Sequence, residues 1–248
     1  MPSPITVPFS DLLSDLETEP GIAFSVLTAA EPFDPAALSE LEQTISSNES
    51  GRRRENFIVG RLAACRAMRL LGISAPGPVP RGDKREPLWP ASIVGSITHS
   101  YPWTMVAVGR VSDIFAIGID IENSQQVTKE DISREICTDS ELAWVCGSAG
   151  SSAALAMLFS SKEAVFKAFS TVSGKYFEFK DVQLVWHPET KCFRGELLVD
   201  LCDRLRRGRQ FEVQVRRNEE WVFSFLIERR ARGSLIPTGG PREASKVP

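Results

Sequence analysis

Histidine is nearly missing from this chain, with only His99 and His187 among 248 residues. The five cysteines (Cys65, Cys137, Cys146, Cys192 and Cys202) are odd in number and never fall in a C-x-x-C spacing. Zinc ligation by paired thiolates and imidazoles is therefore excluded. The thiols fit a reduced, cytoplasmic protein better than a disulfide framework. Positive charge is not in surplus: 29 Lys and Arg face 32 Asp and Glu, a net charge of −3. With no overall attractive field for a nucleic-acid backbone, no nucleic-acid partner is expected, and any anionic ligand must be held by a local cluster. Long apolar runs are missing too. The longest, AALAMLF at residues 153–159, is far short of a membrane span, so no membrane partner is expected. The opening residues MPSPITVPFSDLLSDLE lack a basic stretch followed by an apolar core and do not read as a secretory signal.

The chain does have the 42% hydrophobic and 25% charged content of a globular protein. A chain this long buries roughly three quarters of its unfolded surface, so its stability needs neither disulfides nor metal. Residues 1 to about 45 mix short apolar clusters with Pro, Asp and Glu and read as an irregular arm with one strand near 22–27. From 49 to 71, Ile58, Leu62, Cys65 and Met68 recur at helical steps and Gly72 ends the helix. The Pro- and Gly-rich stretch 74–90 reads as a loop. Residues 96–110 and 114–121 read as two strands joined at Ser112 and Asp113. A helix is expected over 138–146, with Thr138 or Asp139 as N-cap and Glu141 in its first turn, and a longer one over 152–170. Two hairpins follow, one turning at 187–191 and one pairing 210–215 with 221–227. In the latter, Phe211, Val213 and Val215 alternate with polar residues, as a strand with one buried face requires. Residues 232–248 show no periodicity and read as a disordered tail. Each half has a helix followed by antiparallel strands. The expectation is an α+β fold of two pseudo-twofold halves, residues 1–112 and 113–231.

Three fragments carry chemistry. In Gly118-Ile119-Asp120-Ile121-Glu122, a strand sends both carboxylates out on one face and both isoleucines to the other. Adjacent carboxylates repel unless a cation lies between them, and a hard divalent ion suits oxygen ligands. A solvated acidic strand end is the plain alternative. In FSSKEAVFKAF (159–169), Glu163 and Lys167 share a helix face, which by itself is a weak surface ion pair. The rest of the helix is apolar, which favours a cleft. There Glu163 serves as an oxygen ligand or a base, and Lys167 meets a phosphate. In GSITHS (95–100), Thr98 and His99 sit at a strand end where His99 can donate to a phosphate oxygen or be a satisfied structural residue. Basic residues cluster at Arg52-Arg53-Arg54, at Arg61 and in Arg81-Gly82-Asp83-Lys84-Arg85. Arginine forks match phosphate geometry, and Gly82 lets backbone approach a ligand.

GSITHS, GIDIE and FSSKEAVFKAF in this order, with REPLWP (85–90) upstream, resemble the signature set of 4′-phosphopantetheinyl transferases. They most resemble the monomeric two-half type that primes siderophore, polyketide and peptide synthetases. The resemblance covers about residues 52–179. It implies transfer of the phosphopantetheine arm of coenzyme A, with Mg²⁺, to a serine of an acyl or peptidyl carrier protein, releasing adenosine 3′,5′-bisphosphate. By resemblance, Asp120, Glu122 and Glu163 ligate Mg²⁺, and Glu163 or a water takes the serine proton. Lys167 neutralises phosphates, and Thr98 and His99 face the pyrophosphate. Arg53 and Arg61 bind the 3′-phosphate, although helical spacing alone pairs Arg54 with Arg61. Arg81, Gly82, Asp83 and Lys84 line the nucleotide. Glu141, in CTDSELAW, resembles the acidic residue before the family's linker. Carriers of this kind are acidic around the serine, which implies a docking contact through Lys175, Tyr176 and Phe177, unless the two aromatics are core. Two other readings remain. A metal-dependent nuclease usually spaces its second acid and lysine two apart, not four, and the net charge disfavours DNA. A non-catalytic coenzyme A or carrier-binding module has no need of three acids and Lys167 together.

Overall fold

The computed structural model describes residues 7–28, 51–83, 85–127 and 132–231. Lys84, the start of the first long helix and the expected tail lie outside the described residues. The described part is an α+β fold in which one topological unit occurs twice. In the first, strand β1 (Ile22–Thr28) is followed by helix α2 (Gly51–Leu70) and the hairpin β2 (Ile93–Ser100) and β3 (Trp103–Arg110). The sheet order is β1-β3-β2, all antiparallel. In the second, strand β4 (Ile114–Asn123) leads through short helices α3 (Ser124–Val127), α4 (Ser133–Ile136) and α5 (Asp139–Gly147) to helix α6 (Ser151–Ser173). The chain ends its regular structure with β5 (Val182–His187), β6 (Cys192–Leu197), β7 (Gln210–Arg217) and β8 (Trp221–Arg229). Strand order β4-β8-β7-β6-β5 repeats the return of the last hairpin to the first strand, extended by β6 and β5. Among the described residues no helix is long and apolar enough to cross a membrane.

Two sequence expectations change. Residues 96–110 form a hairpin, not one strand: the chain turns at Tyr101-Pro102, joined by a cis peptide bond. Proline cannot donate to a ladder, and Pro102 was the breaker inside an otherwise strand-like run. The described part of the arm is also ordered. A 3-10 turn (Ser10–Leu12) and a short helix, α1 (Ser14–Glu17), set Phe9, Leu12, Leu13 and Leu16 into the core beneath β3, β4 and β8. Their spacing is helical, but Pro8 and the surrounding acids obscured it.

Small residues decide how α6 meets the second sheet. A Cβ on Gly118 would collide with the Ala164 carbonyl oxygen and lie 3.0 Å from Ala168 Cβ. Only glycine allows this approach. Ser160 Oγ donates to the Asp120 carbonyl at 3.3 Å, and Ser161 Oγ lies 3.2 Å from Ser224 Oγ, so these two serines are buried against β4 and β8. The other edge of β4 is satisfied by side chains of β2. Ile119 N donates to Ser96 Oγ at 3.1 Å and Ile121 N to Thr98 Oγ1 at 3.3 Å. Buried amides need partners. Meeting that need with hydroxyls from the neighbouring strand sets GSITHS beside GIDIE and α6 over both.

Candidate active site

Asp120 is at the centre of this junction and is only 2% exposed. Its Oδ1 accepts from Thr98 Oγ1 at 2.9 Å and from Lys167 Nζ at 2.6 Å. Lys167 also donates to Thr98 Oγ1 at 3.2 Å and to the Ile119 carbonyl at 3.4 Å. Asp120 Oδ2 is buried with no hydrogen-bond partner. Asp120 and Glu122 leave β4 two residues apart, as expected for one strand face, but Asp120 is inside the protein rather than at a solvated strand end.

The electrostatics follow from this crowding. Burial raises the Glu122 carboxyl to about 8, helped by the Asp120 and Glu163 charges and opposed by Lys167. Glu163 is raised by burial, with Lys167 opposing and Asp120 adding. For Lys167, burial works against the charge, but Asp120, Glu163 and Glu122 outweigh it and the ammonium is held above its usual value. His99 is lowered to about 4 by burial, then by Lys167 and Arg61, and is neutral at physiological pH. Its Nδ1 lies 2.8 Å from Thr104 Oγ1. A Cβ on Gly60 of α2 would stand 3.0 Å from the ring, so glycine lets the helix backbone press the imidazole into place.

His99 and Lys167 open onto a cavity of about 290 Å³ lined also by Arg61, Arg85, Ser96 and Phe166 among others. Arg61 is 5% exposed, and its guanidinium lies 4.5 Å from the Phe57 ring. Arg81 approaches the same ring at 5.3 Å. Phe57 thus gathers two arginines that are 20 residues apart in sequence, a stacking platform typical of arginine. The loop carrying Arg81 is closed by Gly82 N donating to the Glu86 carbonyl at 2.8 Å, and a Cβ on Gly82 would meet the Glu86 carboxylate. A neutral imidazole, an ammonium and two arginines, Arg61 and Arg85, thus line a pocket beside three carboxylates.

Residues 41–109 match the 4′-phosphopantetheinyl transferase N-terminal domain, and residues 116–225 match the 4′-phosphopantetheinyl transferase superfamily. The chain is 31% identical over 185 residues to the 4′-phosphopantetheinyl transferase PptT of Mycobacterium tuberculosis, covering 72% of this chain and 80% of that one. Its identity to the 4′-phosphopantetheinyl transferase Svp of Streptomyces mobaraensis is 31% over 172 residues, 68% of this chain and 69% of that one. It is also 31% identical over 191 residues to the enterobactin synthase component D of Escherichia coli, 68% of this chain and 89% of that one. The chain belongs to the 4′-phosphopantetheinyl transferases. It transfers phosphopantetheine from coenzyme A to apo carrier proteins.

Within this transferase, the sequence-derived residues fall into three groups. Thr98, His99, Asp120 and Lys167 meet around β2, β4 and α6, with Glu122 and Glu163 in electrostatic reach. Arg61 reaches the cavity from α2, with Arg81 on the shared Phe57 ring. Arg53 does not: it is exposed, whereas Arg54, on the same helix face as Arg61, is partly buried. Gly82 and Asp83 lie in the loop beyond the cavity lining, and Lys84 is outside the described residues. The proposed docking pair splits. Tyr176 is 71% exposed, but Phe177 is 5% exposed and its ring packs at a tilt 5.2 Å from that of Phe166, so a docking role for Phe177 is corrected to a core one.

Glu141 and Lys162 form a second charged contact that spacing does not disclose. Lys162 Nζ is 2.7 Å from Glu141 Oε2 in a fully buried pair. Lys162 lies five residues before Lys167, about 140° around the helix, and so points away from the cleft. An uninterrupted apolar surround on that face was the available signal. Among the described residues, no three His, Cys, Asp or Glu side chains are gathered closely enough to hold a metal ion by themselves.

Proposed function

We propose that the cavity binds the pyrophosphate of coenzyme A together with a Mg²⁺ held by Asp120, Glu122 and Glu163. The observation that carries this reading is the orphaned, buried Asp120 Oδ2 beside a Lys167 that already neutralises Oδ1. Three carboxylates with one ammonium leave spare negative charge, and a hard cation with oxygen ligands fits it. Mg²⁺ keeps waters and substrate phosphate oxygens in its shell, so a complete protein cage is not needed. When bound, the ion neutralises charge at the transferring phosphoryl group.

The protein's own residues do the rest. Thr98 and Lys167 fix the Asp120 carboxylate, and the Lys167 ammonium faces the phosphates. His99, uncharged, serves as a hydrogen-bond donor in the tautomer whose Nδ1 accepts from Thr104 and whose Nε2 carries the proton for a phosphate oxygen. Glu163, its affinity for a proton raised by burial, takes the proton of the carrier serine. Positioning and charge neutralisation are what phosphoryl transfer chiefly requires. Arg61 holds the 3′-phosphate, with Arg54 on the same helix face in place of the exposed Arg53, and the loop carrying Arg81 borders the nucleotide. Tyr176 and Lys175 lie on the carrier side. The carriers proposed are those of siderophore, polyketide or peptide synthetases, and a priming assay with a panel of apo carriers discriminates among them. The enzyme is proposed to act as a cytoplasmic monomer, which light scattering of the purified protein tests through its mass.

Arg61→Ala is expected to raise the KM for coenzyme A about tenfold or more with little change in kcat, because the remote phosphate is held alike in ground and transition states. Dephospho-coenzyme A should no longer be distinguished from coenzyme A by the variant. A wild-type preference that survives the substitution removes Arg61 from this role.

Proton linkage gives a second test. Glu122 is raised from 4.5 to about 8 in the folded protein. The stability its neutral form confers is fully present below about pH 4.5 and is lost as pH rises through about 8. Without metal, the melting temperature should therefore fall between about pH 4.5 and 8 and level off above, and Glu122→Gln should flatten that fall. Mg²⁺ must displace the proton, so its apparent affinity should rise over the same interval. A metal affinity independent of pH there would contradict the assignment of Glu122.

A further inference from the structure

We propose that the arginine pair Arg204 and Arg230, stacked on Phe115 at the far end of a groove leading from the catalytic cavity, receives an acidic segment of the carrier protein. The proposal rests on the transferase reading of the site and locates the partner on the surface.

Phe115 occupies an irregular place in β4. Ile114 pairs with Arg229 and Ala116 with Glu228, so Phe115 is the extra residue of a β-bulge at the edge-proximal start of the strand. A bulge re-aims a side chain. Here the ring meets two guanidiniums, those of Arg204 and Arg230, each 5.7 Å from its centroid. They bound a depression of about 350 Å³ whose other arginines, Arg209 and Arg229, are paired with Glu228 at 2.6 Å and Glu19 at 2.7 Å. Among the described residues, neither Arg204 nor Arg230 has a carboxylate partner. Two like charges on one ring repel, and the Arg230 guanidinium is lowered by burial and by Arg204. An incoming carboxylate relieves both.

The adjoining groove, of about 450 Å³, points to the same ligand chemistry. It shares Phe115 and Arg230 with the arginine depression and Glu86, Pro87, Ser170 and Thr171 with the catalytic cavity. Two buried donors on its wall, Trp89 Nε1 and Arg230 Nη1, have no hydrogen-bond partner. Unmade hydrogen bonds at buried donors are costly, and both call for acceptor oxygens. Carrier proteins supply them as carboxylates near the serine, which must itself reach the catalytic cavity at the other end of the groove. The arrangement favours association by charge complementarity.

The test is steady-state priming of an acidic apo carrier by the full chain. Arg204 is exposed and, among the described residues, has no hydrogen bond or ion pair to lose, so Arg204→Glu should keep the wild-type melting temperature. It is expected to raise the KM for the carrier by about tenfold or more, with the KM for coenzyme A unchanged. Arg204→Gln should give a smaller rise and a weaker dependence of that KM on NaCl. A carrier with one Asp or Glu beside its serine changed to Lys should recover affinity for Arg204→Glu. An unchanged carrier KM in both variants overturns the docking surface, and so does a matching rise in the KM for coenzyme A. A wild type that primes no carrier counts instead against the functional reading of the site, so the two failures are distinct.

Discussion

Replacing Lys162 by methionine is expected to destabilise the protein by about 3–5 kcal/mol, because it removes one partner of a buried ion pair. Lys162 Nζ donates to Glu141 Oε2 at 2.7 Å and to the carbonyls of Ile136, Phe179 and Val182 at 2.8, 2.8 and 3.0 Å. Glu141 in turn caps its own helix by accepting from Thr138 N at 2.7 Å, and it accepts from Leu184 N at 2.7 Å through Oε1. One ion pair thus ties α5, α6, β5 and the turn between α6 and β5. Methionine fills the volume but leaves a buried carboxylate charge and three carbonyls without their donor. For a chain of this size the loss corresponds to a melting temperature lower by roughly 6–20 °C. The double variant Lys162→Met/Glu141→Leu should recover a large part of it, since no lone charge remains. Urea melts of the two variants decide the matter, and a loss below about 1 kcal/mol in Lys162→Met would contradict this role.

That pair marks the boundary of what the sequence discloses. The alternation of Phe211, Val213 and Val215, the apolar circumference of α6 and the same-face geometry of Asp120 and Glu122 follow from period alone, and the structure bears them out. The Thr138–Glu141 capping box is equally local. Contacts between distant segments are different. Glu141 meets Lys162 across 21 residues and Thr98 meets Asp120 across 22, and no periodicity encodes either distance. The Tyr101-Pro102 turn was missed because strand-forming residues flank it on both sides. The Phe57 platform for Arg61 and Arg81 was missed because an aromatic on a helix face reads as core. The burial of Asp120 was missed because a carboxylate in a strand reads as surface until its partners are known.

Asp120→Asn is expected to lower kcat by about a thousandfold or more, several kcal/mol of lost charge stabilisation at the reacting phosphate. Asparagine keeps the shape of the side chain and can still accept from Thr98, so the β2–β4 junction should stand. Lys167 loses its strongest counter-charge, but its side chain is 25% exposed and can turn toward water. The melting temperature should accordingly move by only a few degrees. Asp120→Ala is the poorer test: it also leaves the Thr98 hydroxyl and Lys167 without the buried acceptor they share, and so confounds fold with chemistry. Coenzyme A should still bind Asp120→Asn, because Arg61, His99 and Lys167 remain.

The most direct measurement is the intact mass of an apo carrier after incubation with coenzyme A, Mg²⁺ and either wild type or folded Asp120→Asn. The expected result is a gain of about 340 Da, the mass of a phosphopantetheine arm on serine, with wild type and none on the same timescale with the variant. An unchanged mass with wild type across carriers of all three synthetase types, or an equal gain with Asp120→Asn, would contradict the account.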